Sequence, residues 1–249
     1  MTNNNMIFIA NWKMNGEKSH ISGINKTIKF LKQSKNKKNQ IIYCPPFTLI
    51  SSVKNKVKNT KIKVGAQNLS QLNDYGAFTG SVNSKLIKSA GGEYVIVGHS
   101  EIRNQENDIL INKKIHSALK EKLKVILCIG ETYKEKKNNK TLSVLKRQIT
   151  IALKNIKKIN NIIFAYEPRW AIGTGKIPKS PELRKNFKDI NNIIKKLKKN
   201  QKYKIIYGGS VNSKNVSELK EINDLKGFLI GSASLRAKNF IDIIKKSTN

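Results

Sequence analysis

The chain has 249 residues, 38% of them hydrophobic, enough for a sizeable globular core in one large α/β domain or two small ones. Its two cysteines, Cys44 and Cys128, sit in apolar runs without CxxC spacing or neighbouring histidines, which argues against a metal site and for buried free thiols. Lys and Arg number 49 against 16 Asp and Glu, and the resulting net charge of +33 raises the question of nucleic acid. That excess is spread along the whole chain, mostly as Lys, beside abundant Asn and Ile, a pattern that compositional bias towards AT-rich codons also produces. Aromatic residues make up only 7% and no basic tract interleaves with them, so specific nucleic-acid binding is not expected. The first residues lack a basic stretch ahead of a long apolar one, and every apolar run is too short to span a bilayer, so a cytoplasmic protein without membrane attachment is expected.

Apolar strand candidates follow one another at 6–10, 40–44, 62–65, 93–98, 124–129, 161–166, 204–207 and 227–230, each expected to lead into a basic segment of helical period. Helical spacing shows in Ile109, Ile111, Ile115 and Leu119, and again in Ile190, Ile193, Ile194 and Leu197. Continuous apolar runs suit parallel strands covered by helices on the outside. No linker divides the chain. Eight βα units in an unbroken span predict a closed (β/α)8 barrel, one domain over residues 1–249. A dinucleotide-binding sheet would want GxGxxG after the first strand, where this chain instead has Asn11-Trp12-Lys13-Met14-Asn15-Gly16.

In such a barrel the chemistry gathers at the C-terminal ends of the strands. Asn11 and Lys13 follow the first strand, His99, Ser100 and Glu101 the fourth, and Glu167 the sixth. Pro168, Gly173 and Gly175 bracket a loop directly after Glu167, so a carboxylate at a strand end stands beside a segment able to close and exclude water. On its own Glu167 reads as a solvated strand-end acid, and His99 reads equally as a structural hydrogen-bonder. Ser210, after Gly208-Gly209 on the seventh strand, and Gly231-Ser232, after the eighth, offer backbone N–H groups where barrels of this kind hold phosphate.

These residues resemble one family, triosephosphate isomerase, over nearly the entire chain. The likeness rests on Asn11-Trp-Lys-Met-Asn15, Gly65-Ala-Gln-Asn-Leu69, Gly76-Ala-Phe-Thr-Gly80, Val97-Gly-His-Ser-Glu101, Cys128-Ile-Gly-Glu131, Tyr166-Glu-Pro168 with Trp170-Ala-Ile-Gly-Thr-Gly-Lys176, and Tyr207-Gly-Gly-Ser-Val211, in the family's order. It implies interconversion of dihydroxyacetone phosphate and D-glyceraldehyde 3-phosphate through an enediolate, with no metal or organic cofactor. It also implies that Glu167 is the base, that neutral His99 polarises the carbonyl, and that Lys13, Asn11 and Glu101 support the charge. Gly173, Ser210, Gly231 and Ser232 would bind the phosphate, and a homodimer would form through the loop at 74–80 with Thr79 at its tip. The chain departs from the family pattern at Ser81, Ile102, Arg169 and Ser232. Another phosphate-binding barrel such as an aldolase is disfavoured, since its Schiff-base lysine would come from a strand end that here carries Glu167.

Overall fold

The computed structural model describes residues 5–33, 38–174 and 177–248. Eight strands, β1 (Ile7–Asn11), β2 (Gln40–Cys44), β3 (Lys63–Ala66), β4 (Tyr94–Val97), β5 (Lys124–Ile129), β6 (Ile162–Tyr166), β7 (Lys204–Tyr207) and β8 (Leu225–Ile230), pair in parallel with their sequence neighbours, and β8 returns to β1. The result is a closed, single-domain barrel. The helices between them are α1 (Lys18–Ile21), α2 (Ile24–Lys32), α3 (Ile50–Val57), α4 (Ser84–Ser89), α5 (Asp108–Lys120), α6 (Tyr133–Lys137), α7 (Thr141–Ala152), α8 (Ser180–Leu197), α9 (Val216–Leu219) and α10 (Ala237–Thr248).

Alternate residues on each strand point to opposite faces, and here both faces are dry. Ile7, Ile9, Ile42, Cys44, Ile96, Ile126, Cys128, Ile163, Ala165, Ile206 and Leu229 fill the barrel interior. Phe8, Tyr43, Val95, Leu127, Phe164 and Phe228 face outward into a second layer beneath the helices. This double burial is why the strands read as continuous apolar runs. Cys44 and Cys128 are both free and both inside. No helix among the described residues is long and apolar enough to cross a membrane.

The expected strands lie within two residues of the observed ones. After β3 the expected helix comes late, since residues 67–83 contain neither helix nor strand before α4 begins. Asn83 explains the delay: its Oδ1 caps α4 by accepting from the Leu86 N–H at 2.9 Å, while its amide donates to the carbonyls of Asn73 and Asp74. Two of the helix-period residues lie in helices as expected yet face solvent, Ile109 being 61% and Leu197 39% exposed. Both stand at helix margins, where solvent reaches even the apolar stripe.

Candidate active site

Glu167 follows β6 directly, its N–H donating to the Ile129 carbonyl at 2.7 Å. Its side chain is buried, with one carboxylate oxygen accepting from the Ser100 N–H at 3.2 Å. The other, Oε1, lies 3.4 Å from His99 Nε2 and has no hydrogen-bond partner among the described residues. A buried carboxylate oxygen without a donor is costly in a purely structural role and suits a group that must accept a proton.

His99 stands at the turn that follows β4, only 7% exposed. The N–H of Glu101 donates to His99 Nδ1 at 3.3 Å, which makes that nitrogen the acceptor and puts the proton of a neutral ring on Nε2, facing Glu167. Local chain geometry therefore sets the tautomer.

Lys13 sits in the 3-10 turn after β1 with φ 51, a left-handed backbone that a lysine adopts at a cost of order 1–3 kcal/mol. Two contacts hold it there: its N–H donates to Asn11 Oδ1 at 3.1 Å, and its carbonyl accepts from Gln67 Nε2 at 2.9 Å. Lys13 Nζ meets Glu101 Oε1 at 2.5 Å. Asn11, 4% exposed, spends its Oδ1 on the Lys13 backbone, so its amide N–H groups remain available as donors.

These groups share one cavity of about 100 Å³, walled by Asn11, Lys13, His99 and Glu167 on one side and by Gly173, Ser210, Gly231 and Ser232 on the other. All nine residues expected from the sequence except Glu101 line it. Glu101 instead touches it through Lys13 and His99. Among the described residues, no backbone carbonyl accepts from the N–H of Gly173, Ser210 or Ser232. Ser232 has no positive φ, so a side chain is tolerated there without strain.

The segment after Glu167 begins with a short turn, Arg169–Ala171, fastened to the end of β5. The Arg169 N–H donates to the Glu131 carbonyl at 2.9 Å and Trp170 Nε1 to Glu131 Oε1 at 2.8 Å. Tyr166 Oη also donates to the Glu131 carboxylate, at 3.2 Å. Burial raises the Glu131 carboxyl above its ordinary range, although the Trp170 bond opposes the shift. Beyond this turn Gly173 is exposed with φ 71, and a side chain built on it would touch nothing within 4 Å. Gly175 and Lys176, the expected end of this loop, lie outside the described residues.

Sequence reasoning gave no task to Glu131 or Gln67, although both stand just past the end of a strand, the same signal that singled out Glu167. Of the departures, Arg169 donates to Asn104 Oδ1 at 2.6 Å and does not line the cavity. Ile102 takes part in neither the site nor the ion pair of its neighbour Arg103, which reaches Asp108 at 2.7 Å.

A family model described as triosephosphate isomerase matches residues 6–247. The triosephosphate isomerase of Thermodesulfovibrio yellowstonii is 40% identical over 95% of this chain and 97% of its own length. That of Alkaliphilus oremlandii is 38% identical over 96% of this chain and 98% of its own. A solved structure, triosephosphate isomerase from Bartonella henselae, superposes with a TM-score of 0.89 at 31% identity, covering 98% of this chain and 100% of that one.

Proposed function

The chain belongs to the triosephosphate isomerase family, and on that premise we propose which of its residues carry the reaction. The activity is the interconversion of dihydroxyacetone phosphate and D-glyceraldehyde 3-phosphate, an aldose–ketose isomerisation of glycolysis and gluconeogenesis. Glu167 removes the proton from one carbon and returns it to the next. His99 Nε2 donates to the oxygen that becomes negative, and the Lys13 ammonium and Asn11 amide stabilise the same charge. Glu101 positions His99 and Lys13 through its backbone N–H and its carboxylate. The phosphate rests on the N–H groups of Gly173, Ser210, Gly231 and Ser232.

One observation carries this reading: Glu167 Oε1, which accepts no hydrogen bond among the described residues, lies 3.4 Å from His99 Nε2 in the cavity that also holds the Gly173, Ser210 and Ser232 N–H groups, which meet no backbone carbonyl among those residues. A proton next to a carbonyl is weakly acidic, so a base needs donors on the developing oxyanion, each contributing about 3 kcal/mol in a water-poor site. Folding of the 168–176 loop over the cavity would keep water from the enediolate and limit loss of phosphate.

The same premise supports a homodimer through the loop at 74–80, with Thr79 reaching the partner's site. Met14, 98% exposed, and the half-exposed Phe78 are apolar surface suited to such a contact. We read residues 1–249 as the one barrel domain and place the protein in the cytoplasm, in keeping with its triose phosphate substrates.

A coupled assay with D-glyceraldehyde 3-phosphate tests the central assignment. In Glu167→Gln, kcat should fall by about 10²–10⁴-fold with little change in KM. Undiminished turnover in that variant would remove Glu167 from the reaction.

A further inference from the structure

At the N-terminal mouth of the barrel, opposite the catalytic end, a second cavity of about 150 Å³ opens around the starts of β5, β6 and β7. Its floor is apolar, made by Ile7 and Ile163 of the barrel interior. Its rim carries Lys124, Lys202 and Lys204, and no Asp or Glu lines it. Of the acids near this mouth, Glu93 is taken by Lys54 at 2.8 Å and Lys63 at 2.9 Å, and Asp224, whose charge acts on Tyr203, accepts from Asn191 Nδ2 at 3.4 Å. Lys124 lies over the Tyr94 ring, 5.5 Å from its centre, and Gln40 fixes the Tyr94 hydroxyl at 2.5 Å. Partial burial, and after it the charge of Lys124, holds the Lys204 ammonium below its ordinary range. Lys124 and Lys204 therefore share a space in which the nearby Lys124 disfavours the charge on Lys204.

Three ammonium groups around a pocket without a carboxylate form a site that an anion stabilises and a cation or neutral ligand does not. The volume limits the occupant. It is comparable to the roughly 100 Å³ of the catalytic cavity, which suits a triose phosphate and not a polymer strand. We propose that this mouth binds a small polyanion of the diphosphate class, whose oxygens are received by Lys124, Lys202 and Lys204 and by the side-chain amides of Asn160 and Asn161. The site is distinct from the catalytic cavity, with which it shares no lining residue.

Inorganic pyrophosphate is the probe, titrated calorimetrically into the full chain at near-physiological salt. Two binding events are expected: one that saturating triose phosphate abolishes, at the catalytic end, and one that it leaves intact, at the mouth. In Lys124→Gln/Lys204→Gln the second event should weaken by about tenfold or more while kcat/KM stays unchanged. Lys202→Gln, in the loop before β7, should weaken it by about threefold and serves the same purpose if the double variant does not fold. Absence of the second event from the unmodified chain, or its persistence at full strength in these variants, overturns the site. Displacement of pyrophosphate from the mouth by a short single-stranded DNA at equal phosphate concentration would overturn the assignment to a small ligand. If triose phosphate displaced neither event, the fault would lie with the catalytic reading instead.

Discussion

Room for Glu167 depends on two neighbouring glycines, which differ in what a methyl group would strike. At Gly208 an added Cβ would lie 2.8 Å from Glu167 Cγ and 3.0 Å from its Oε1, so the obstacle is the base's own side chain, which can swing aside. At Gly130 it would lie 1.8 Å from the Glu167 carbonyl oxygen, and only movement of the backbone just past β6 could relieve that clash. Gly208→Ala should therefore leave the melting temperature nearly unchanged while displacing the carboxylate, with kcat down by about 10²-fold for a shift near 1 Å. Gly130→Ala should lower stability by about 3 kcal/mol or more, because overpacking against backbone has no soft partner. Thermal melts and steady-state kinetics on the pair check both. Equal damage to kcat and stability in the two variants would mean that Glu167 is not confined as these contacts indicate. A further residue-scale feature, the left-handed Lys13, leaves no mark in the sequence. Its conformation is imposed by Gln67 and Asn11 from both sides, and a tertiary constraint of that kind has no local signature.

Among the elements, the turn at Arg169–Ala171 couples the base to two neighbouring strand ends. Its backbone and Trp170 are tied to Glu131 past β5, while the Arg169 guanidinium crosses to Asn104 in the loop after β4, the loop whose Ser100 N–H holds the Glu167 carboxylate. The Arg169 to Asn104 bond holds the turn that begins the loop against the segment after β4. Arg169→Val and Asn104→Ala should each ease closure and lower KM by about two- to fivefold, and the double variant should be no stronger than either single one. The resulting coupling of about 0.4–1 kcal/mol in that double-mutant cycle lies in the range that one hydrogen bond supplies. Strictly additive effects would show that the bond has no bearing on the loop. The strands and the strand-end residues were legible before the structure because double burial writes unbroken apolar runs and Pro168 marks where β6 must stop. The full extent of the loop at 67–83, beyond the 74–80 already read as loop, was not, since its shape rests on side-chain to backbone bonds from Asn83 that periodicity cannot register. Arg169 was visible as a departure, yet its partner, 65 residues away in sequence, was not.

For the whole molecule the charge of +33 and the expected pairing of two copies pull against each other. The 74–80 loop and its surroundings expose Tyr75, Phe78 and Leu86, with Tyr75 66% exposed, and Met14, after β1, is 98% exposed. Two copies that each carry this excess must also bring like charge together, and the cost depends on screening. With a Debye length of roughly 30 Å at 0.01 M salt and 8 Å at 0.15 M, repulsion between copies is felt across the whole interface in the first case and only at close contacts in the second. A dimer held by apolar burial against such repulsion should tighten as salt is added, by about tenfold in Kd over that range, whereas one held by complementary ion pairs should loosen. Sedimentation velocity across the two salt concentrations distinguishes them. The expected result is a species of twice 28.2 kDa that dissociates on dilution more readily at low salt. Phe78→Asp, which adds a buried charge to the proposed contact, should shift the chain to monomer at both salts and lower kcat/KM, since Thr79 would no longer reach a second site. A variant that remains dimeric, or a monomer with full activity, would separate the loop at 74–80 from catalysis.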